Sequence, residues 1–99
     1  MVVTIFRSKL GDKYREEYQS IAPKMLKLAQ SMPGFISFKS FSATDDERVS
    51  IIEFETLEYL QAWRDHPEHQ KAQKLGRERF YTEYSIQVCE PLYQRTIKL

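Results

Sequence analysis

The sequence predicts an α+β fold. It reads as a ferredoxin-like β-α-β-β-α-β chain, with an antiparallel sheet and helices on one face. Three observations carry that expectation. Runs rich in β-branched and aromatic residues, VVTIFRSK, GFISFKSFSA, RVSIIEFE and TEYSIQVCE, read as strands. Stretches with apolar residues every three or four positions separate them and read as helices. Glycine is scarce and falls at joints, at Gly11, Gly34 and Gly76.

The first strand covers Val2 to Lys9. LGDK is a turn, and Asp12 is positioned to cap the helix that follows. From Lys13 to Met32 the apolar stripe runs Tyr14, Tyr18, Ile21, Met25, Leu28, with a kink or break expected at Pro23. MPG at Met32–Gly34 ends this helix. Two strands joined by the turn ATDDER form a hairpin, the second running from Arg48 to Glu55. Thr56 is a good N-cap for a helix carrying Leu57, Leu60 and Trp63 on one side. Pro67 disfavours helical geometry at His66 and suits the first turn of a new helix, which runs to about Phe80. The last strand spans Thr82 to Glu90, and the tail PLYQRTIKL follows Pro91.

Strand alternation sets Val49 and Ile51 against Ile52 and Phe54, and Val3 and Ile5 against Val2 and Phe6. It also sets Ile36 and Phe38 against Phe35 and Phe41. Both sheet faces are therefore expected to be apolar, and the helices cover only one. A second copy of the sheet is the simplest cover for the other, giving a face-to-face homodimer. A ligand cleft on that face is the alternative. The tail, residues 91–99, is apolar enough at Leu92, Tyr93 and Ile97 to pack across such a seam.

Ninety-nine residues make a single domain, 1–99. A net charge of +1, with acids and bases interspersed, gives no concentrated basic field and speaks against a nucleic-acid partner. No apolar run reaches the roughly 20 residues of a membrane span. The start, MVVTIFRSKL, lacks the pattern of a secretory signal. A lone Cys89 makes no internal disulfide and suits a reducing compartment, so the expected location is cytoplasmic, with the thiol buried in the last strand.

The segment from Trp63 to Tyr81 concentrates the candidate chemistry. His66 and His69 lie three residues apart across a helix start, without the spacing or third ligand of a zinc site, so no metal is expected. Either imidazole could cap the helix, sit in the core, or move a proton near neutral pH. Glu53 shares a face with Val49 and Ile51, where a carboxylate is either paired or shifted in pKa. Trp63 and Phe80 read first as core aromatics. Arg64, Arg77 and Arg79, with Asp65, Glu68 and Glu78, read as a solvated face laced with ion pairs.

On VVTIFRSKL, MPGFISFKSF, SIIEFE, and above all WRDHPEHQKAQKLGRERFYTEY with IQVCEP, the chain resembles the antibiotic biosynthesis monooxygenase family over nearly its whole length. The resemblance implies a dimeric α+β barrel of ferredoxin-like subunits. It implies an activity without a cofactor: deprotonation of a small aromatic or quinol substrate, whose anion reacts with dioxygen. Trp63, Phe6, Phe80 and Arg7 would then bind substrate, and His66, His69 and Glu53 would be the catalytic candidates. A haem-binding branch of the family uses an asparagine on the first strand; this chain has Phe6 and Arg7 there and no asparagine at all, so haem is the less favoured reading. A non-catalytic, dimeric hydrophobic-ligand or stress-response module is the alternative to an enzyme.

Overall fold

The computed structural model describes all residues, 1–99. The element order is β1 (Val2–Leu10), α1 (Arg15–Ser31), β2 (Phe35–Ser42), β3 (Arg48–Phe54), α2 (Leu57–Asp65), α3 (Pro67–Leu75), a π-helical turn (Gly76–Phe80) and β4 (Tyr81–Cys89). All strand pairs are antiparallel, in the order β2-β3-β1-β4. This is the expected ferredoxin-like arrangement, with the second helix of the pattern split in two.

The split follows from local chemistry. Thr56 caps α2 by accepting the Tyr59 N–H at 3.2 Å. His66 takes an extended ψ of 134° before Pro67, which ends α2, and Pro67 occupies the first turn of α3. Helix α1 runs through Pro23 without a break. Its start differs from expectation: Asp12 does not cap it. The N-cap is Tyr14, held at φ 62° in the left-handed region with no side-chain cap. Tyr14 thus leaves the helical stripe and points outward, 49% exposed.

The helix-covered face of the sheet buries Val2, Ile52 and Phe54 beneath Ala29, Leu60 and Trp63. Phe35 and Phe38 pack on the same core, because the register of β2 against β3 shifts between Phe35 and Ser37. That irregularity overturns the simple alternation, which set Phe35 and Phe38 on opposite faces. The close approach of α2 to the α1–β2 turn requires glycine at position 34. Its φ is 77°, and a Cβ there would meet the Tyr59 ring at 2.2 Å.

The opposite face is mixed rather than uniformly apolar. Val3, Ile5, Val49 and Ile51 are half-buried and Phe41 is 49% exposed. Across the same face Glu53 accepts from Ser37 Oγ at 2.5 Å, and Arg7 donates from Nη2 to both carboxylate oxygens of Glu47 at 2.8 and 3.0 Å. Cys89 is exposed at the end of β4, not buried as expected, because β4 is an edge strand whose residues after Tyr81 are all solvent-facing. The tail beyond it is irregular and exposed, with Leu92 and Leu99 fully open. No helix is long and apolar enough to cross a membrane.

Candidate functional site

Trp63 stands at the centre of the covered face. It lies on the inner side of α2, 4% exposed, stacked on Phe54 (ring centroids 5.7 Å) and edge-on to Phe38 (6.0 Å). Its other flank is taken by His69, whose ring centroid is 4.2 Å away. The break at Pro67 makes this contact possible. A continuous helix would point residues 63 and 69 in different directions, whereas the turn folds α3 back so that His69 meets the indole.

His69 Nδ1 lies 3.1 Å from the backbone carbonyl of Trp63. A carbonyl only accepts, so this contact holds the proton on Nδ1 and leaves the Nε2 lone pair free. Burial lowers the pKa of His69 below its ordinary 6.5, with Arg64 and His66 adding a smaller push in the same direction. The carbonyl contact opposes them, and the net is a neutral imidazole at pH 7.

His66 does a different job. Its Nδ1 accepts the Glu68 N–H at 3.1 Å and caps α3. No three His, Cys, Asp or Glu side chains converge to hold a metal ion.

Two buried polar atoms on this covered face find no protein partner, the Trp63 Nε1–H and the Thr4 hydroxyl. Buried donors are almost always satisfied, so an orphaned pair calls for a ligand or water. Thr4 sits on β1 beside Ile52 of β3.

A second aromatic group lies further along the same face. Phe6 packs on Tyr81 (5.4 Å) and Tyr84 (5.9 Å), and Tyr18 of α1 meets Phe80 (5.6 Å) and Tyr81 (6.4 Å). The π-helical turn delivers Phe80 and Tyr81 here. Gly76 admits the Tyr81 ring where a Cβ would come within 2.6 Å of it. Burial pushes the Tyr81 phenol up to about 12, with Tyr18 adding to the rise and Arg48 opposing it.

The structure therefore brings Trp63 and His69 into contact, with His66 just beyond, and groups Phe6 with Phe80 nearby. It leaves Arg7 and Glu53 on the opposite sheet face, Arg7 tied to Glu47 and Glu53 to Ser37. The expected ion pairs among Arg64, Arg77, Arg79, Asp65, Glu68 and Glu78 do not form. Arg79 instead reaches Glu17 of α1 at 3.0 and 3.1 Å. Thr4 and Arg48 were not singled out from the sequence, and Tyr18 and Tyr81 read there only as core aromatics. Period-2 alternation from Phe54 and Ile52 back to Arg48 was the signal available for the arginine.

Two surface depressions lie elsewhere, and neither is lined by Trp63 or His69. A narrow crevice lined by Gly11, Tyr14, Tyr18 and Phe80 opens at the Tyr18 end. An open one of about 400 Å³, lined by Lys24, Met25, Lys27, Leu28 and Glu68, lies on the outer helical surface.

Fold and site together define a ferredoxin-like α+β domain with an aromatic–imidazole centre between sheet and helices. Comparison with known proteins gives the family: residues 1–75 match antibiotic biosynthesis monooxygenase, and the chain belongs to that family. The match ends at Leu75, just before the π-helical turn. The uncharacterized protein YqjZ of Bacillus subtilis is 31% identical over 78 residues, covering 79% of this chain and 68% of that protein. Among solved structures, Rv0793 from Mycobacterium tuberculosis superimposes with a TM-score of 0.83 at 18% identity, covering 96% of this chain and 98% of that one. SnoaB from Streptomyces nogalater, described as a cofactor-independent oxygenase, gives 0.79 at 13% identity, with 94% of each chain covered. At these identities the structural likeness speaks for the fold.

Proposed function

We propose that this protein is a cofactor-independent monooxygenase acting on a small aromatic or quinol-type substrate with dioxygen. The observation that carries the reading is the Trp63–His69 pair. It comprises a half-buried neutral imidazole, its proton fixed on Nδ1, against an indole whose N–H has no protein partner. His69 Nε2 takes the phenolic proton; burial disfavours the imidazolium, which makes the ring a weaker base but keeps it unprotonated and available at pH 7. The Trp63 N–H donates to the developing oxyanion. The electron-rich ring carbon then bonds to dioxygen, and loss of water from the protonated peroxide leaves the quinone.

Within one subunit the proposal gives the base to His69. His66 has its Nδ1 engaged in capping α3. Glu53 and Arg7 face away from His69, and their place in the account is the dimer seam. Homodimerisation through the open face would cover Val3, Ile5, Val49, Ile51 and Phe41, with tail residues 91–99 lying along the partner. Sedimentation at micromolar concentration tests it, and a strict monomer contradicts it. A reducing, cytoplasmic setting suits the exposed thiol of Cys89.

The enzymatic reading is tested by oxygen uptake over a panel of phenols and quinols with chelator-treated protein. We expect uptake with at least one compound, and a fall of about 10²-fold or more in His69→Gln. Binding without uptake across the panel would favour a non-catalytic ligand-binding module. An unchanged rate in His69→Gln would remove the imidazole from the mechanism.

A further inference from the structure

We propose that residues 91–99 of a second copy of this chain lie over β4 on the helix side of the sheet, so that the partner's tail walls the aromatic group at each subunit's β4 edge. The inference rests on the homodimer of the reading above. It deepens that reading by placing the tail on the other side of the sheet from the face-to-face seam.

Strand β4 turns its apolar residues toward a space that nothing fills. Its register on β1 sets Tyr84 against Ser8, Ile86 against Phe6 and Val88 against Thr4. Residues paired across antiparallel strands share a face. Thr4 pairs with Ile52 of the helix-covered core, and both Thr4 and Ser8 are buried. Tyr84, Ile86 and Val88 therefore point to the side on which the helices lie. They are nonetheless 44%, 43% and 40% exposed. The alternate residues Glu83, Ser85 and Gln87 are polar and share the open face with Lys9, Arg7 and Ile5. An edge strand shaped for solvent alone would not carry its apolar residues in one row. The row continues into the aromatic group described above, since Tyr84 lies 5.9 Å from Phe6 and 5.8 Å from Tyr81.

The occupant is supplied by the chain itself. Beyond Glu90 it continues as PLYQRTIKL, where Leu92, Tyr93, Ile97 and Leu99 are all exposed. This segment stands off the domain, and the radius of gyration is 14.1 Å, against about 13 Å usual for 100 residues. A chain's own tail thus leaves its β4 row uncovered, and the molecule carries both a free apolar segment and an open apolar row. Their lengths agree. The row spans about 13 Å from Tyr84 to Val88, and the tail reaches about 30 Å at about 3.3 Å per residue. Their charges agree as well. Glu83 and Glu90 are the only charged side chains from Tyr81 to Glu90, and Arg95 and Lys98 are the only ones in the tail. Exchange between two identical chains covers both rows with the same contact, as a two-fold axis requires.

The test is isotope-filtered NMR on full-length protein, with labelled and unlabelled chains refolded together in equal parts. Cross-peaks from the labelled Ile86 and Val88 methyls to the unlabelled chain are expected. They should vanish when the unlabelled chain carries Leu92→Ser and Tyr93→Ser, whose exposed positions leave the subunit fold intact. The same two substitutions in both chains should weaken the dimer by about tenfold or more in sedimentation. Cross-peaks from labelled Ile5 and Ile51 report the face-to-face seam separately. Seam contacts without Ile86 and Val88 contacts, or an unchanged dissociation constant, overturn the tail's placement and leave the dimer standing. Ile86 and Val88 contacts to the tail found only in a uniformly labelled sample mean that the chain's own tail folds back, which overturns the exchange. A strict monomer with neither set of contacts overturns the dimer and the exchange together.

Discussion

The two ends of the helix-covered face are built from the same strands and differ in almost every physical respect. At the Trp63 end, Phe54 and Leu60 are fully buried and the aromatic rings stack without solvent between them. At the Arg48 end, serines replace the aliphatic side chains, a guanidinium lies without a counter-ion, and the wall on β4 is open. The first end can hold the molecule together. The second also buries Phe80 and Ser8, but leaves Ser40, Ser42 and Tyr84 exposed. Tight aromatic packing and unpaired polar groups are thus separated along β3, with His69 packed against Trp63 at the dry end.

That separation predicts unequal costs. Phe54→Ala should destabilise the fold by about 3–5 kcal/mol in denaturant unfolding, since it removes a fully buried ring. Tyr84→Ala, at the open end, should cost less than about 1 kcal/mol. Similar losses for the two would erase the distinction. Gly34→Ala should cost about 1–3 kcal/mol, from the strained φ and the Tyr59 ring that must move aside. Thr56→Ala should cost about 1 kcal/mol through loss of the α2 cap that leads into Trp63.

Much of this was legible beforehand. Thr56, Pro67 and the hairpin turn follow local rules that burial does not override, so the helix break and strand order could be read directly. Trp63 and His69 were legible as candidates, because the break at Pro67 frees His69 to turn inward. The face assignments were harder. A single register shift near Ile36 moved Phe38 to the core side, and Tyr14 left its stripe by adopting a left-handed backbone. Neither event has a signature in apolar spacing. Arg7 and Glu53 looked chemical because each stands among apolar residues. Their actual partners, Glu47 and Ser37, are set by cross-strand register, which one sequence does not reveal. Arg48 went unread for the opposite reason, since a charge at a strand start usually faces water.

Two smaller effects sharpen the comparison. His69 has a folded pKa below its ordinary 6.5, so the unfolded chain binds more protons as pH falls through 6.5. Stability should therefore be constant above that value and decline below it, down to the folded pKa. His69→Gln should flatten this part of the profile, as followed by thermal unfolding at a series of pH values. The smallest effect is at the far end: Arg48→Ala should alter stability by less than about 1 kcal/mol, since it gives up only a cation–π contact with Tyr18.

The central claim is that His69 is a neutral base with its proton on Nδ1 and Nε2 open to substrate. Nitrogen NMR of imidazole-labelled protein measures this directly. The account predicts a protonated Nδ1 and a bare Nε2 at pH 7, with titration below 6.5. A proton on Nε2, or a pKa above 6.5, would contradict it.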